Sequence, residues 1–502
     1  MLYFPFCLIY LIFYDKMIHN NRKKGIKVMN KLNNLKPQAV FKYFEEITNI
    51  PRGSGNMDKI SAYCMEFARK QGLRATIDSA KNVIIYKNGT KGYENAQSVI
   101  LQGHLDMVCQ QEDGMDVDFE KEGIDIYVEE DFIKANGTTL GADNGIAVAI
   151  ILAILESSDI SHPPIEAVFT TDEEIGMVGA LQLSFDNLKS KKMINIDSED
   201  MDIVTVSCAG GSDCEVTLPV TRELKKGNLV SFAVKGLRGG HSGVEINSGS
   251  INADILMGRI LHSLEGIEII SVNGGNKGNA IPSSCQAEIL VQGNETVNSL
   301  KKIEQTLKKE ISAREPNFFI EISCEKEGHF KVIKEKEKLI FALMCSPNGV
   351  MEMSAEISGL VETSLNLGIL KTEENSIYML FTLRSNKQSA MEFLENRLKT
   401  LANQIDAQVK TGGYYPPWEY NENSMLRELY KEKFAEKFGK EPKIEAIHAG
   451  LECGVFSSGI TDLDCISVGP QMFDIHTPGE RVSISSVARI YEILIEVLKE
   501  CK

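Results

Sequence analysis

Ser98-Val99-Ile100-Leu101-Gln102-Gly103-His104-Leu105-Asp106 passes in one stretch from an uncharged, β-rich run to a histidine and an aspartate. The apolar start reads as a buried strand and the polar end as its carboxyl terminus. If the chain stays extended, His104 and Asp106 share a face, because alternate residues of a strand do. A histidine that binds metal commonly gives its second ring nitrogen to a carboxylate, which H-x-D spacing can supply. Alone, the pair is a weak signal.

Outward from this stretch, strand-like and helix-like runs alternate. Val83-Ile84-Ile85-Tyr86, Ile165 to Thr171 and Met193 to Ile196 read as strands. Ile146 to Leu155 (IAVAIILAIL) is apolar all round and suits a buried helix; its polar neighbours leave it too short for a membrane span. The alternation predicts an α/β domain with helices on both faces of a sheet. The texture changes after Gly210-Gly211, where charged helical stretches such as Leu300 to Ile311 mix with strands such as Leu229 to Val234 and Ile377 to Leu383. Thr411 to Trp418 (TGGYYPPW) punctuates the chain, and the α/β texture then resumes. The expected organisation is a discontinuous first domain, residues 29–212 and 411–502, interrupted by a second at 213–410.

Composition narrows the function classes. At 502 residues, more than one domain is expected. The 70 acidic and 54 basic residues give a net charge of −16. With no Lys/Arg-rich block, nucleic acid and anionic membrane surfaces are poor partners. Eleven scattered cysteines with no C-x-x-C fit free thiols in a reducing, cytoplasmic compartment.

The first residues follow another logic. Met1 to Tyr14 (MLYFPFCLIYLIFY) is nearly all apolar, yet shorter than the roughly 20 residues that span a bilayer. No basic residue precedes the run and no A-x-A-like cleavage site follows it. Residues 1–28 are expected to be a non-native or disordered extension, with no membrane partner. Met29 would be the working start, and Pro37 would open a helix with apolar residues at helical spacing.

Further polar residues fall where strands end. Gly141-Ala142-Asp143-Asn144-Gly145 stands before the buried helix, where Asp143 would serve either as an N-cap or as a carboxylate at the mouth of a site. In Thr171-Asp172-Glu173-Glu174-Ile175-Gly176, adjacent extended residues would point one Glu at a metal and the other at a water. Asp197 ends another strand, and His476 follows the strand-like Cys465 to Gly469. In open α/β sheets, functional groups gather beyond the carboxyl ends of strands. Two histidines and three carboxylates are too many for one open catalytic zinc, but enough for two divalent ions if one carboxylate bridges.

These segments resemble the M20 metallopeptidases, and within them the aminoacyl-histidine dipeptidases. The carriers are GHLDMV at Gly103, GADNGIA at Gly141, TTDEEIGMVGA at Thr170 and INIDSED at Ile194. GGHSG at Gly239, GNAIP at Gly278, ETSLNLG at Glu362 and HAGLECG at His448 extend the match from about Met29 to the C-terminus. The resemblance implies a mixed-sheet catalytic domain flanked by helices, with an inserted α+β lid. It implies two metal ions, zinc first and cobalt or manganese as alternatives. His104 and Asp197 would hold one, Glu174 and His476 the other, and Asp143 would bridge. Asp106 would orient His104, and Glu173 would be the general base that later protonates the leaving amine. His241 would help hold the oxyanion from the lid, while Asn279 and Arg384 would grip the substrate's C-terminal carboxylate. His448 and Glu452 would lie near the substrate amino group.

The implied activity is hydrolysis of Xaa-His and related dipeptides. An N-acyl-amino-acid deacylase or tripeptidase would use the same metals, and a catalytically inactive binding protein could keep the fold. The intact ligand set with Glu173 argues against the last. Oligomeric state, a homodimer included, is left open.

Overall fold

Val99–His104 lies inside an eight-stranded sheet of the computed structural model, which describes residues 31–293 and 295–502. The expected extension, 1–28, lies outside the described residues. The sheet order is Arg74–Ile77, Val83–Lys87, Ile165–Thr170, Val99–His104, Lys192–Asn195, Asp464–Ser467, Ile203–Cys208 and Lys443–Ile447. The central strands Ile165–Thr170, Val99–His104, Lys192–Asn195 and Asp464–Ser467 run parallel, so their carboxyl ends meet on one edge.

Alternation along these strands feeds two cores, as expected for a sheet covered on both faces. Val99 and Leu101 pack with the helices Gln38–Thr48, Ala142–Glu156 and Ile484–Glu500. Ile100 packs oppositely with Ile84, Val168, Met193 and Phe456 of the helix Glu452–Gly459. Ile146 to Leu155 is buried throughout because its helix is sandwiched between Gln38–Thr48 and the sheet. Truncating Ile150, fully buried there, to Ala should cost about 2–5 kcal/mol.

The inserted lid is a nine-stranded antiparallel sheet. The helices Ala253–His262, Lys336–Cys345 and Gln388–Gln404 share its apolar core. Leu365, Leu367, Phe381 and Leu383 face that core, whereas the alternate residues Ser364, Asn366, Thr382 and Arg384 face away from it.

The strand Gln408–Tyr415 pairs with Gly210–Pro219 in this sheet, crossing the expected junction at 410/411. Gly412-Gly413, which reads as loop punctuation, instead lies within the strand at an irregularity of register. The two crossings between domains touch at Cys208 and Trp418, which exchange both backbone hydrogen bonds at 3.1 Å.

Candidate active site

The aligned strand ends deliver the site. His104 is the last residue of its strand; Glu173 and Glu174 lie in the turn after Thr170; Asp197 follows Asn195. His476 is carried by the loop between Met472–Phe473 and Arg481–Ser483. Asp143 enters from the first turn of Ala142–Glu156. Its Oδ1 lies 3.2 Å from His104 Nε2 and its Oδ2 3.1 Å from His476 Nε2. His104 Nε2 is also 3.5 Å from Asp197 Oδ1, and His476 Nε2 is 3.0 Å from Glu174 Oε1.

Two donor groups therefore share Asp143: His104–Asp143–Asp197 and Asp143–Glu174–His476, each with ligand atoms within 4.8 Å of one another. A third group joins His104 with Glu173 and Glu174. Imidazole nitrogens and carboxylate oxygens without thiolates suit catalytic zinc, cobalt or manganese, so the donors fit a dinuclear centre. The electrostatics agree. Burial, with Asp143 and Glu174 close by, pushes Asp197 up to about 6. Hydrogen bonds donated by the ring to Asp143 and Glu174 push His476 up to about 10. Burial pulls His104 down, yet Asp197, Asp106 and Asp143 carry it well above its ordinary value. Divalent cations would relieve this crowding of carboxylates.

A buried polar shell holds these groups. Asp106 Oδ1 stands 3.3 Å from His104 Nδ1 and accepts the Glu173 N–H at 3.0 Å. Asp106 Oδ2 accepts the Glu174 N–H at 3.2 Å and the Ser54 hydroxyl at 2.8 Å. Despite burial, these partners and His104 hold Asp106 down to about 2. The turn is not extended: Asp172 has φ 53°, and both Glu N–H groups reach the same carboxylate. The opposite-sides geometry expected for Glu173 and Glu174 is therefore replaced by a turn folded onto Asp106.

Asp143 is not the helix cap. Glu480 fills that place, accepting the N–H groups of Leu140, Gly141, Ala142 and Asp143 at 2.7–3.2 Å. A carboxylate there satisfies donors that the helix leaves open and complements its positive end. Asp143 is thus left free to face the histidines. Asn144, after a cis peptide from Asp143, accepts the His104 N–H at 3.2 Å and donates to Asp197 Oδ1 at 2.7 Å. The fully buried Arg52 donates to the carbonyls of Leu105, Asp106 and Gly141. No local pattern in the sequence marks Arg52, Ser54 or Glu480, and Asn144 stands out only as part of its motif.

A second cluster forms on the lid face turned away from the apolar core. Arg384 is buried and donates to the Tyr415 hydroxyl at 2.9 Å. His448, in the catalytic domain, meets Ser364 Oγ through Nε2 at 2.7 Å. His241 accepts the N–H groups of Gly243 and Val244 on Nδ1. Asn279 is exposed beside it, its carbonyl accepting the Ser242 N–H at 2.9 Å. Glu452 lies elsewhere: fully buried below the metal-site strands, it accepts from Gln102 and Thr170. Burial pushes it up to about 7. Its Oε2 is thus held by the sheet, while its Oε1 is buried without a hydrogen-bond partner among the described residues.

Residues 100–500 match the profile of the peptidase family M20/M25/M40. The chain belongs to this family. It is 36% identical to the cytosol non-specific dipeptidase of Escherichia coli (strain K12) over 94% of its own length and 99% of the relative's. Its fold superposes on aminoacylhistidine dipeptidase from Vibrio alginolyticus with a TM-score of 0.87. That match has 35% identity and covers 93% of this chain and 97% of the other. The aminopeptidase PepT from Bacillus cereus, at 15% identity and a TM-score of 0.57, shares the fold across 93% of this chain and 99% of its own.

Within this M20 site the Glu173 carboxylate is distinctive. No hydrogen bond or ion pair engages it among the described residues, although its backbone is fixed on Asp106. Burial raises it well above its ordinary value, with His104 opposing and Asp197, Glu452 and Glu174 adding to the rise. A carboxylate with raised proton affinity and no protein partner can take a proton and return it.

Proposed function

We propose that this protein is a cytoplasmic di-zinc dipeptidase that hydrolyses Xaa-His and related dipeptides. The observation that carries the reading is the sharing of Asp143 between two His/carboxylate donor groups, with Glu173 unpaired beside them. His104 and Asp197 would hold one ion, Glu174 and His476 the other, with Asp143 between them. Such ions supply positive charge that polarises a scissile carbonyl and acidifies water. Glu173 takes the proton of the attacking water and passes it to the leaving amine. Asp106 keeps the His104 ring and the Glu173-Glu174 turn in mutual register.

The lid cluster supports a substrate with a free carboxylate. Among the described residues, the Arg384 side chain has no acidic partner, and its Nε is buried without an acceptor. A buried guanidinium without a counter-ion is costly, which favours an anionic ligand there. The relatives named dipeptidases support dipeptides as the class. The cytoplasmic placement rests on free cysteines, together with the finding that no described helix is long and apolar enough to cross a membrane.

The test is a panel of free dipeptides, tripeptides and N-acetyl amino acids, assayed after chelation and reloading with zinc, cobalt or manganese. Fastest turnover is expected for Xaa-His dipeptides with zinc. Preference for tripeptides or N-acetyl amino acids would move the chain to the corresponding alternative chemistry. No turnover with any metal would leave the inactive binding protein.

A further inference from the structure

The lid face carries a row of paired positions. Ser364 stands opposite Arg384, Arg384 opposite Gly211, and Gly211 opposite Tyr415. Tyr415 reaches Arg384 across the intervening strand because position 211 has no side chain. Its ring occupies the space that a Cβ on Gly211 would take.

The choice of tyrosine is set by a bulge. Gly412 pairs with Asp213, and regular pairing onward would set Tyr414 opposite Gly211. One added residue sets Tyr415 there instead, with Gly413 at φ 58°, a conformation glycine takes without steric cost. Tyr414 bonds away from this row, donating to Gln388 Oε1 at 2.9 Å.

The hydrogen bond between Arg384 and Tyr415 is unequal. The guanidinium donates and the phenol oxygen accepts, so the phenol's own O–H remains free to donate. It has no acceptor among the described residues. Burial raises the phenol above its usual value against the pull of Arg384, which keeps that proton in place at neutral pH. A guanidinium without a counter-ion and a free phenolic O–H thus stand side by side on one face, a pair suited to a carboxylate.

We infer that Tyr415 is a specificity-determining residue that shares the substrate's C-terminal carboxylate with Arg384. The inference rests on the dipeptidase reading above. Tyr415 fixes the plane of the guanidinium through its oxygen and donates its own proton to the second carboxylate oxygen. Gly211 and the bulge at Gly413 are the backbone devices that bring it there.

The test compares kcat and KM for a free dipeptide and its C-terminal amide, using the metal-loaded full-length enzyme. Wild type is expected to prefer the free form. Tyr415→Phe keeps the ring and removes the hydroxyl, so the free-to-amide ratio of kcat/KM should fall about tenfold, chiefly through KM. Gly211→Ala should lower the same ratio by displacing the ring. Calorimetry supplies a readout without turnover: Tyr415→Phe should lose affinity for free histidine but not for histidinamide. If wild type discriminates and Tyr415→Phe discriminates equally, Tyr415 has no such role while the carboxylate reading stands. If wild type cleaves both forms equally, the carboxylate reading fails and the role of Tyr415 fails with it.

Discussion

The metal cluster and the polar face of the lid are both built from residues far apart in sequence, but by different means. The cluster is assembled by direction: parallel strands end on one edge, and the residues just beyond them meet. The lid face is assembled by register, where neighbours are set by which residues stand opposite each other and by one bulge. A one-residue slip along a loop leaves the first arrangement largely in place, whereas a one-residue slip in a strand turns the second inside out. The neighbours on the lid face would therefore change with small changes of register, whereas those of the metal cluster would not.

The sharpest test of the first region is Glu173→Ala. Turnover should fall by about 10²–10⁴-fold or more, with metal content by mass spectrometry near wild type. Loss of metal along with activity would make Glu173 a ligand, as its grouping with His104 and Glu174 allows, and would break the division of labour.

Glu480→Ala probes the shell rather than the ligands. It strips the acceptor from backbone N–H groups around Asp143, and metal affinity should drop about 10–100-fold in competition with a chelator. Unchanged affinity would show that the Asp143 turn holds without it.

For the lid face, Arg384→Ala should lower kcat/KM for free dipeptides about 10–100-fold, through KM, while sparing metal content. A fall in kcat alone would tie the arginine to the chemistry and blur the two regions.

The smallest expected effect is on acid stability. Burial, with Arg384 nearby, holds His448 at about 3 against an ordinary 6.5. The folded protein keeps it neutral where the unfolded chain binds a proton. Its contribution is therefore complete above about pH 6.5 and is lost as pH falls towards 3. Melting temperatures of His448→Gln should fall less steeply than wild type between these values. An identical slope would place the acid sensitivity elsewhere.

Much of the first region is legible in the sequence, because apolar runs announce the strands and His104, Glu174 and Asp197 stand at or just beyond strand ends. Asp143 opens the buried helix, and His476 stands in a loop near the C-terminus. His104, Asp143, Glu174, Asp197 and His476 could be marked before any fold was known. Their supports could not. Glu480 is 337 residues from Asp143, and a lone glutamate in a loop carries no local pattern that says which N–H groups it accepts. Arg52 satisfies carbonyls rather than acids, so no charge pairing reveals it. In the lid, Gly412-Gly413 reads as punctuation, since periodicity cannot distinguish a bulge from a break. Only the resemblance points to Arg384, and its neighbour Tyr415 depends on a register that only pairing defines.

The mutual hydrogen bonds of Cys208 and Trp418 have a consequence for how such an enzyme can be rebuilt. An antiparallel bridge is a place where a two-residue turn closes a chain. Everything between those two residues is in effect a cassette, spliced in at a point where its ends already touch. Replacing residues 209–417 with a short Asn-Gly turn would leave all four metal-site strands and the helices behind them uninterrupted. Such a miniature should fold and bind metal while losing Arg384, Tyr415 and the rest of the lid's polar face. The same seam would let a different insert be grafted onto an unchanged hydrolytic core.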